Sequence, residues 1–188
     1  MASRTMGSMD AMGSDYVIRE VRADDWAAVK EFGLHALRDP LAPVAFFDTY
    51  EQARTRPDQF WKDRAARSSA GGPARQFVAQ GPRGDWIGTV TVLVEEPGTE
   101  DFTGRRIEQR QAHIVGFFVR EECRGGTVAR ALFDAALDWG LAQRDVRRVR
   151  LYVHERNGRA QAFYRKAGFA RTGAAGDEYE MQYRPAAA

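Results

Sequence analysis

The chain has 188 residues, 44% of them hydrophobic, and a formal net charge of +2. This length supplies one domain with a real core, and near-balanced charge argues against a general nucleic-acid binder or a disordered acidic module. The single cysteine, Cys123, rules out a disulfide within the chain and fits a reducing cytoplasm, and no apolar run reaches the ~20 residues that span a bilayer.

Residues 1–14 are rich in Met, Gly and Ser and lack the apolar centre of a signal peptide. They read as a flexible leader, which leaves 15–185 as a single domain. Alternation over 16–21 predicts a first strand. Asp24 is placed to cap a helix reaching about Arg38, with Trp26, Val29, Phe32 and Leu37 near helical spacing, and Asp39-Pro40 and Pro43 end it. A second helical region covers about 48–66, broken before Pro57. A Gly/Ser loop at 68–73 leads to a strand pair, 76–80 and 86–94, around Gly81-Pro82-Arg83-Gly84, which is a hairpin signal. The polar stretch 95–111 is long for a hairpin loop, and part of it can be strand. A buried strand at 114–119, a helix at 127–141, a strand at 149–154 and a short helix at 158–166 closed by Gly168 come next. Two closing strands fall near 169–172 and 178–184. This order predicts a mixed α/β sheet flanked by helices.

The run Val119-Arg-Glu-Glu-Cys-Arg-Gly-Gly-Thr-Val-Ala-Arg-Ala-Leu132 takes a strand through a glycine pair into a helix start. The first N–H groups of a helix have no internal partner, and phosphate oxygens suit them. Arg124 and Arg130 flank the turn. Such a turn also arises for purely geometric reasons. It is not a P-loop, because no Gly-Lys-Ser/Thr follows, and the Gly-x-Gly-x-x-Gly spacing of a dinucleotide site is absent. No metal ligand set accompanies it, and a nucleotide kinase would need a phosphate-binding lysine that the turn lacks.

Further on, Leu151-Tyr-Val-His-Glu-Arg-Asn157-Gly-Arg-Ala-Gln-Ala-Phe-Tyr164-Arg-Lys-Ala-Gly168-Phe169 sets an Asn at a helix start, a Tyr seven residues later and a Gly-Phe exit. Alone, Asn157 reads as an N-cap and Tyr164 as a half-buried helix aromatic. With the first turn, they make the chain resemble the GNAT acyltransferase superfamily over roughly residues 15–184. Motif A of that family, Arg/Gln-x-x-Gly-x-Gly/Ala, is similar to Arg124-Gly125-Gly126-Thr127-Val128-Ala129, and motif B is similar to the second run. Thr127 stands where the family usually has Gly. It adds a Cβ near the expected pyrophosphate and a hydroxyl able to bond a phosphate oxygen.

The resemblance implies a mixed central sheet splayed between the 114–119 and 149–154 strands, with acetyl-coenzyme A as cosubstrate. Pantetheine would pair with the strand edge at Phe117, Phe118 and Val119. Pyrophosphate would rest on the amides of Gly125, Gly126, Thr127, Val128, Ala129 and Arg130. Asn157 would bind the cofactor arm, and Tyr164 would lie near the sulfur.

The implied reaction is direct attack of a primary amine on the thioester. The amine must first lose a proton, the thioester oxygen needs a donor such as a backbone N–H of the 114–119 strand, and the thiolate needs an acid, for which Tyr164 is the candidate. For the base, His113 precedes that strand, and a histidine with pKa near ~6.5 suits neutrality. The alternative for His113 is a strand-end side chain in solvent. His154 is a weaker rival, and Tyr152 stands where peptide-N-terminus acetyltransferases of the family often have Glu. The motif places no base beside Cys123, which argues against an acetyl-cysteine route.

Acceptor choice is expected from about 39–61 and 95–111. Their Asp48, Glu51, Glu95, Glu96, Glu100 and Asp101, with Phe46, Phe47, Tyr50 and Trp61, would suit a cationic amine with an apolar part, or would be solvated charge above a packed aromatic face. A small-molecule amine is the expected partner, with neither nucleic acid nor membrane. A protein lysine as acceptor, and a non-catalytic acyl-coenzyme A sensor or scaffold, stay open. Members of the family often pair through C-terminal strands or sheet edges, so a homodimer is compatible with the sequence.

Overall fold

The computed structural model describes residues 7–9 and 15–185. The leader expected at 1–14 thus lies outside the described residues except at Gly7–Met9, which forms an edge strand. Eight strands make one sheet in the order β1-β2-β3-β4-β5-β6-β8-β7. They are β1 (Gly7–Met9), β2 (Asp15–Glu20), β3 (Ala74–Gln80), β4 (Trp86–Glu95), β5 (Gln111–Val119), β6 (Val149–His154), β7 (Phe169–Ala175) and β8 (Glu178–Tyr183). The helices are α1 (Trp26–Ala36), α2 (Tyr50–Arg54), α3 (Asp58–Arg67), α4 (Val128–Leu141) and α5 (Gly158–Lys166). Neighbouring strands are antiparallel except β5 and β6. That pair is parallel because α4 carries the chain back from the end of β5 to the start of β6.

Most element boundaries follow local chemistry. Thr49 caps α2, and Pro57 separates α2 from α3. The first helix differs from expectation at its cap. Asp25, not Asp24, reaches back to accept from the Arg22 amide at 2.8 Å and from the Arg19 guanidinium at 2.7 Å. Between residues 96 and 110 the only strand-like pairing among the described residues is the isolated bridge Glu100–Arg106, so this stretch is essentially loop.

Two layers cover the sheet. On one face α4 buries Leu132, Phe133 and Ala136 against Val92, Ala112, Ile114, Val149 and Leu151. On the other, α1 and α3 bring Phe32 and Trp61 against Val78, Trp86 and Phe118. Among the described residues no helix is long and apolar enough to cross a membrane.

One irregularity in β5 positions everything that follows. Val115 opposes Thr91 and Phe118 opposes Thr89, so three steps along β5 match two along β4. This is a β-bulge, with Gly116 in the left-handed region at φ 60°. The extra residue inverts the alternation of side chains. Phe117 turns towards α4, with its ring 5.5 Å from Phe133, and Phe118 turns towards α1, with its ring 5.8 Å from Phe32. The parallel ladder to β6 covers only Ala112–Val149, His113–Arg150 and Ile114–Leu151, and it ends just before the bulge.

A Cβ on Gly116 would find Thr91 Oγ1 no closer than 4.0 Å, so replacement meets conformational strain and not a clash. Gly116→Ala is expected to destabilise the fold by about 1–2 kcal/mol, the usual cost of left-handed backbone. Urea denaturation checks this, and an unchanged midpoint would show that the bulge does not require glycine.

Candidate active site

A cavity of about 700 Å³ opens where β5 and β6 part. Side-chain alternation along β6 divides its walls. Val153 joins the core beneath α4, so Tyr152 and His154 project from the opposite face. One mouth therefore lies between α4 and α5, and the other beneath the segment 39–47, whose Leu41 and Phe47 line it.

At the first mouth, the turn before α4 has Gly125 at φ 90°, with open space where a Cβ would stand. Thr127 is the N-cap of α4, but its side chain does not cap the helix. Its hydroxyl lies 2.8 Å from Tyr16 Oη, so the group expected to face a phosphate is shared with the buried Tyr16 of β2. The side chain of Val128 is in the core, which leaves only its amide for a ligand. Gly126, Ala129 and Arg130 line the cavity. Both flanking arginines are engaged within the chain. Arg124 donates to the Val119 carbonyl at 2.9 Å and ion-pairs with Asp39, and Arg130 pairs with Asp134 at 2.8 Å.

Two cations of this mouth escaped the sequence reading. Arg159 and Lys166 line the cavity from α5 and make no ion pair among the described residues. With Ala160 and Phe163 they form one helix face, and their seven-residue spacing was the available signal.

Asn157 is the expected N-cap and also a tie. Its Oδ1 accepts from the Ala160 amide at 3.1 Å, and its Nδ2 donates to the Val44 carbonyl at 3.2 Å. Tyr164 lines the cavity, with its ring between Phe133 at 5.5 Å and Phe169 at 6.5 Å. Burial pushes its phenol well above the ordinary value, so it keeps its proton across the neutral range.

At the second mouth the aromatic half of the expectation appears and the acidic half does not. Phe46 and Phe47 line the cavity, and Phe47, 72% exposed, lies 4.8 Å from Phe102 of the 96–110 loop. Trp61 is in the core instead. None of Asp48, Glu51, Glu95, Glu96, Glu100 and Asp101 lines the cavity. Asp48 pairs with Arg56, Glu51 with Arg54, and Glu96 with Arg110. The carboxylates that do line it are Asp39, which Arg124 holds, and Glu178 on β8.

His113 is a correction to expectation. It is 3% exposed and neither in solvent nor in the cavity lining. The bulge lies beyond it, so His113 still sits within the paired part of β5, between Glu95 and the rings of Phe102 and Tyr152. Its Nδ1 lies 2.9 Å from Glu95 Oε1. Arg150 joins Glu95 and Asp101 at 2.7 and 3.0 Å, and Tyr152 Oη meets Arg150, Asp101 and Glu180. Burial acts to raise the Glu95 carboxyl, but hydrogen bonds from His113 and Gln111 and the charge of Arg150 hold it below the usual range.

The model of the acetyltransferase (GNAT) family matches residues 35–169. The chain belongs to the GNAT acetyltransferase family. Membership of this family supports acetyl-coenzyme A as the donor that the sequence resemblance implies. Part of the chain is 38% identical over 107 residues to a mycothiol acetyltransferase of Amycolatopsis mediterranei. That match covers 57% of the chain and 32% of the length of the relative. Two solved structures share the fold. The GNAT domain of S. lividans PAT gives a TM-score of 0.72 at 17% identity, covering 95% of this chain and 96% of that one. PaiA N-acetyltransferase of Thermoplasma acidophilum, in complex with coenzyme A, gives 0.71 at 17% identity, covering 90% and 98%.

The residues present fit such a donor. Among the described residues the edge of β5 beyond Ile114 has no strand partner on its β6 side, the turn at Gly125 is open, and Arg159 and Lys166 supply unpaired positive charge.

Two outcomes follow from this geometry. Replacing Arg159 and Lys166 together by Ala should weaken coenzyme A binding by at least about tenfold, or 1.4 kcal/mol, with a shallower salt dependence in calorimetry. Unchanged affinity would place the phosphates elsewhere. His113→Ala should destabilise the fold by about 1–3 kcal/mol, because Glu95 loses a buried donor, and should leave the acidic limb of the pH–rate profile in place. Loss of that limb would restore His113 as the base.

Proposed function

We propose that this acetyltransferase acetylates the primary amine of a small molecule, by direct attack of the amine on the thioester. The observation that carries this reading is a single cavity lined from both faces of the sheet, with Arg159 and Lys166 on the α5 side and Phe46 and Phe47 of the 39–47 segment on the other. The contact between Phe47 and Phe102 covers the aromatic mouth from two loops. A small amine with an apolar part fits beneath such a roof better than a peptide laid across it. The partial likeness to a relative named for mycothiol supports the same acceptor class.

Each residue then has a task. The amides of the turn from Gly125 to Arg130 and the cations Arg159 and Lys166 hold phosphate. The unpaired edge of β5 at Phe117, Phe118 and Val119 holds the pantetheine amides, and a backbone N–H there meets the carbonyl oxygen as it gains charge. Asn157 holds α5 to the 39–47 segment, so both walls of the slot keep their spacing. Tyr164 gives its proton to the sulfur as the C–S bond breaks. Its raised pKa keeps that proton available, and its place on the α5 side puts the acid opposite the incoming amine.

Thiol release from acetyl-coenzyme A with a panel of small amines and a lysine peptide tests this reading. Release with a small amine is expected, and release with the peptide alone would move the acceptor to a protein. Tyr164→Phe should cut turnover by about a hundredfold with coenzyme A affinity kept. Turnover at the normal rate would remove Tyr164 as the acid.

A further inference from the structure

Two carboxylates line the cavity, and they differ in what surrounds them. Asp39 is ion-paired with Arg124 and its side chain is 7% exposed, so it is consumed in tying the 39–47 segment to the phosphate turn. The carboxylate of Glu178, the first residue of β8, makes no hydrogen bond or ion pair among the described residues.

Strand register fixes the side on which Glu178 works. It is the cross-strand partner of His154, as Glu180 is of Tyr152. Directly opposed residues share a face. Val153 and Tyr179, one step along from these residues, pack against the core beneath α4. Glu178 and His154 therefore project from the opposite face, where Phe46 and Phe47 wall the aromatic mouth, while Arg159 and Lys166 belong to α5 on the other side. The unpaired anion and the unpaired cations are separated by the sheet. Anionic phosphates suit one side, and an ammonium suits the other.

The neighbours of Glu178 suit a proton acceptor. Burial raises its carboxyl above the usual range, His154 opposes the shift, and Asp177 adds to it. A carboxylate brought closer to neutrality is a better base. His154 Nδ1 accepts from the Arg156 amide at 3.1 Å, which places the proton of the neutral ring on Nε2. The other polar groups near this mouth are committed: His113 to Glu95, and Tyr152 Oη to Arg150, Asp101 and Glu180.

We infer that Glu178 receives the ammonium group of a cationic primary amine and removes its proton before attack. The inference rests on the amine-acetylating reading above. The Glu178 carboxylate takes one N–H proton, and the freed lone pair forms the C–N bond to the acetyl carbon. The C–S bond breaks with its electron pair on sulfur, and the Tyr164 hydroxyl protonates that sulfur. The second nitrogen proton returns through solvent to the Tyr164 oxygen, and Glu178 releases its proton to bulk. One amide, one thiol and one proton result.

The test compares two acceptors, an alkylamine that is protonated near neutrality and an acyl hydrazide that is not. Glu178→Gln should lose about a hundredfold in kcat/KM with the alkylamine and stay near the wild-type rate with the hydrazide, while coenzyme A affinity and melting temperature hold. Normal alkylamine turnover in the variant overturns the inference and leaves the amine reading standing. An equal loss with both acceptors also overturns it, since that marks a role in shape and not in proton transfer. If the wild type releases no thiol with any of the amines, both fall. Should Glu178→Gln fail to fold, Glu178→Asp takes its place. Its shorter carboxylate should slow the alkylamine more than the hydrazide, and an equal effect on the two sinks the proposal.

Discussion

The site exists because β5 and β6 stop pairing after Ile114 and Leu151. Backbone N–H and C=O groups left without a ladder need other partners, so a gap inside a sheet is costly unless water or a ligand fills it. The bulge at Gly116 stands beside that gap. By inverting the alternation it sends Phe117 to the α4 layer and Phe118 to the α1 layer, which anchors both sides of the strand while its β6 edge stays open. The chain leaves this same strand into the phosphate turn and α4, so the unpaired edge and the helix start that would receive one extended ligand are covalently continuous.

Charge is sorted by the same geometry. The chain carries nearly equal numbers of basic and acidic residues, and most of those near the cavity are used to hold loops in place. Glu95, His113, Arg150, Asp101, Tyr152 and Glu180 form a buried network that fastens the 96–110 loop over β5, β6 and β8. Asp101 accepts from the Thr103 and Arg105 amides, and these hydrogen bonds outweigh its burial and hold its carboxyl well below the usual range. In low dielectric such a network is stable only when each member is satisfied, which explains why its carboxylates do not also serve the cavity. Arg124 and Asp39 play a similar part for the 39–47 segment. Of the carboxylate, lysine and arginine side chains that line the cavity, Arg159, Lys166 and Glu178 are the ones with no ion pair among the described residues.

Much of the architecture was legible in the chain. The spans of β6 and α5 coincide with the expected 149–154 and 158–166, because the apolar Val149, Leu151 and Val153 at period two, an Asn N-cap and Gly168 at φ 89° mark their limits locally. Tyr164 was legible as a likeness to a family motif, and its side chain lines the cavity. His113 is buried and bonded to Glu95, which the sequence did not foretell. A histidine near a strand end looks accessible, but burial there depends on the 96–110 loop folding back with Phe102 and Asp101, and nothing local encodes that contact. Likewise the six acidic residues that suggested an acceptor site found arginine partners or lie away from the cavity, several of them distant in sequence.

The sequence by itself determined the order of strands and helices, the glycine turn into α4, and the Asn-Tyr-Gly-Phe pattern of α5, since each rests on hydrophobic period, capping or a backbone conformation that neighbouring residues decide. Only the tertiary structure decided which of these side chains meet. The hydroxyl of Thr127 is shared with Tyr16, 111 residues away, and the amide of Asn157 is held by Val44, 113 residues away. Glu178 faces the aromatic mouth because β8 inserts between β6 and β7 and aligns it with His154. Strand order and register are set by packing over the whole sheet, and a single strand carries no record of its neighbour.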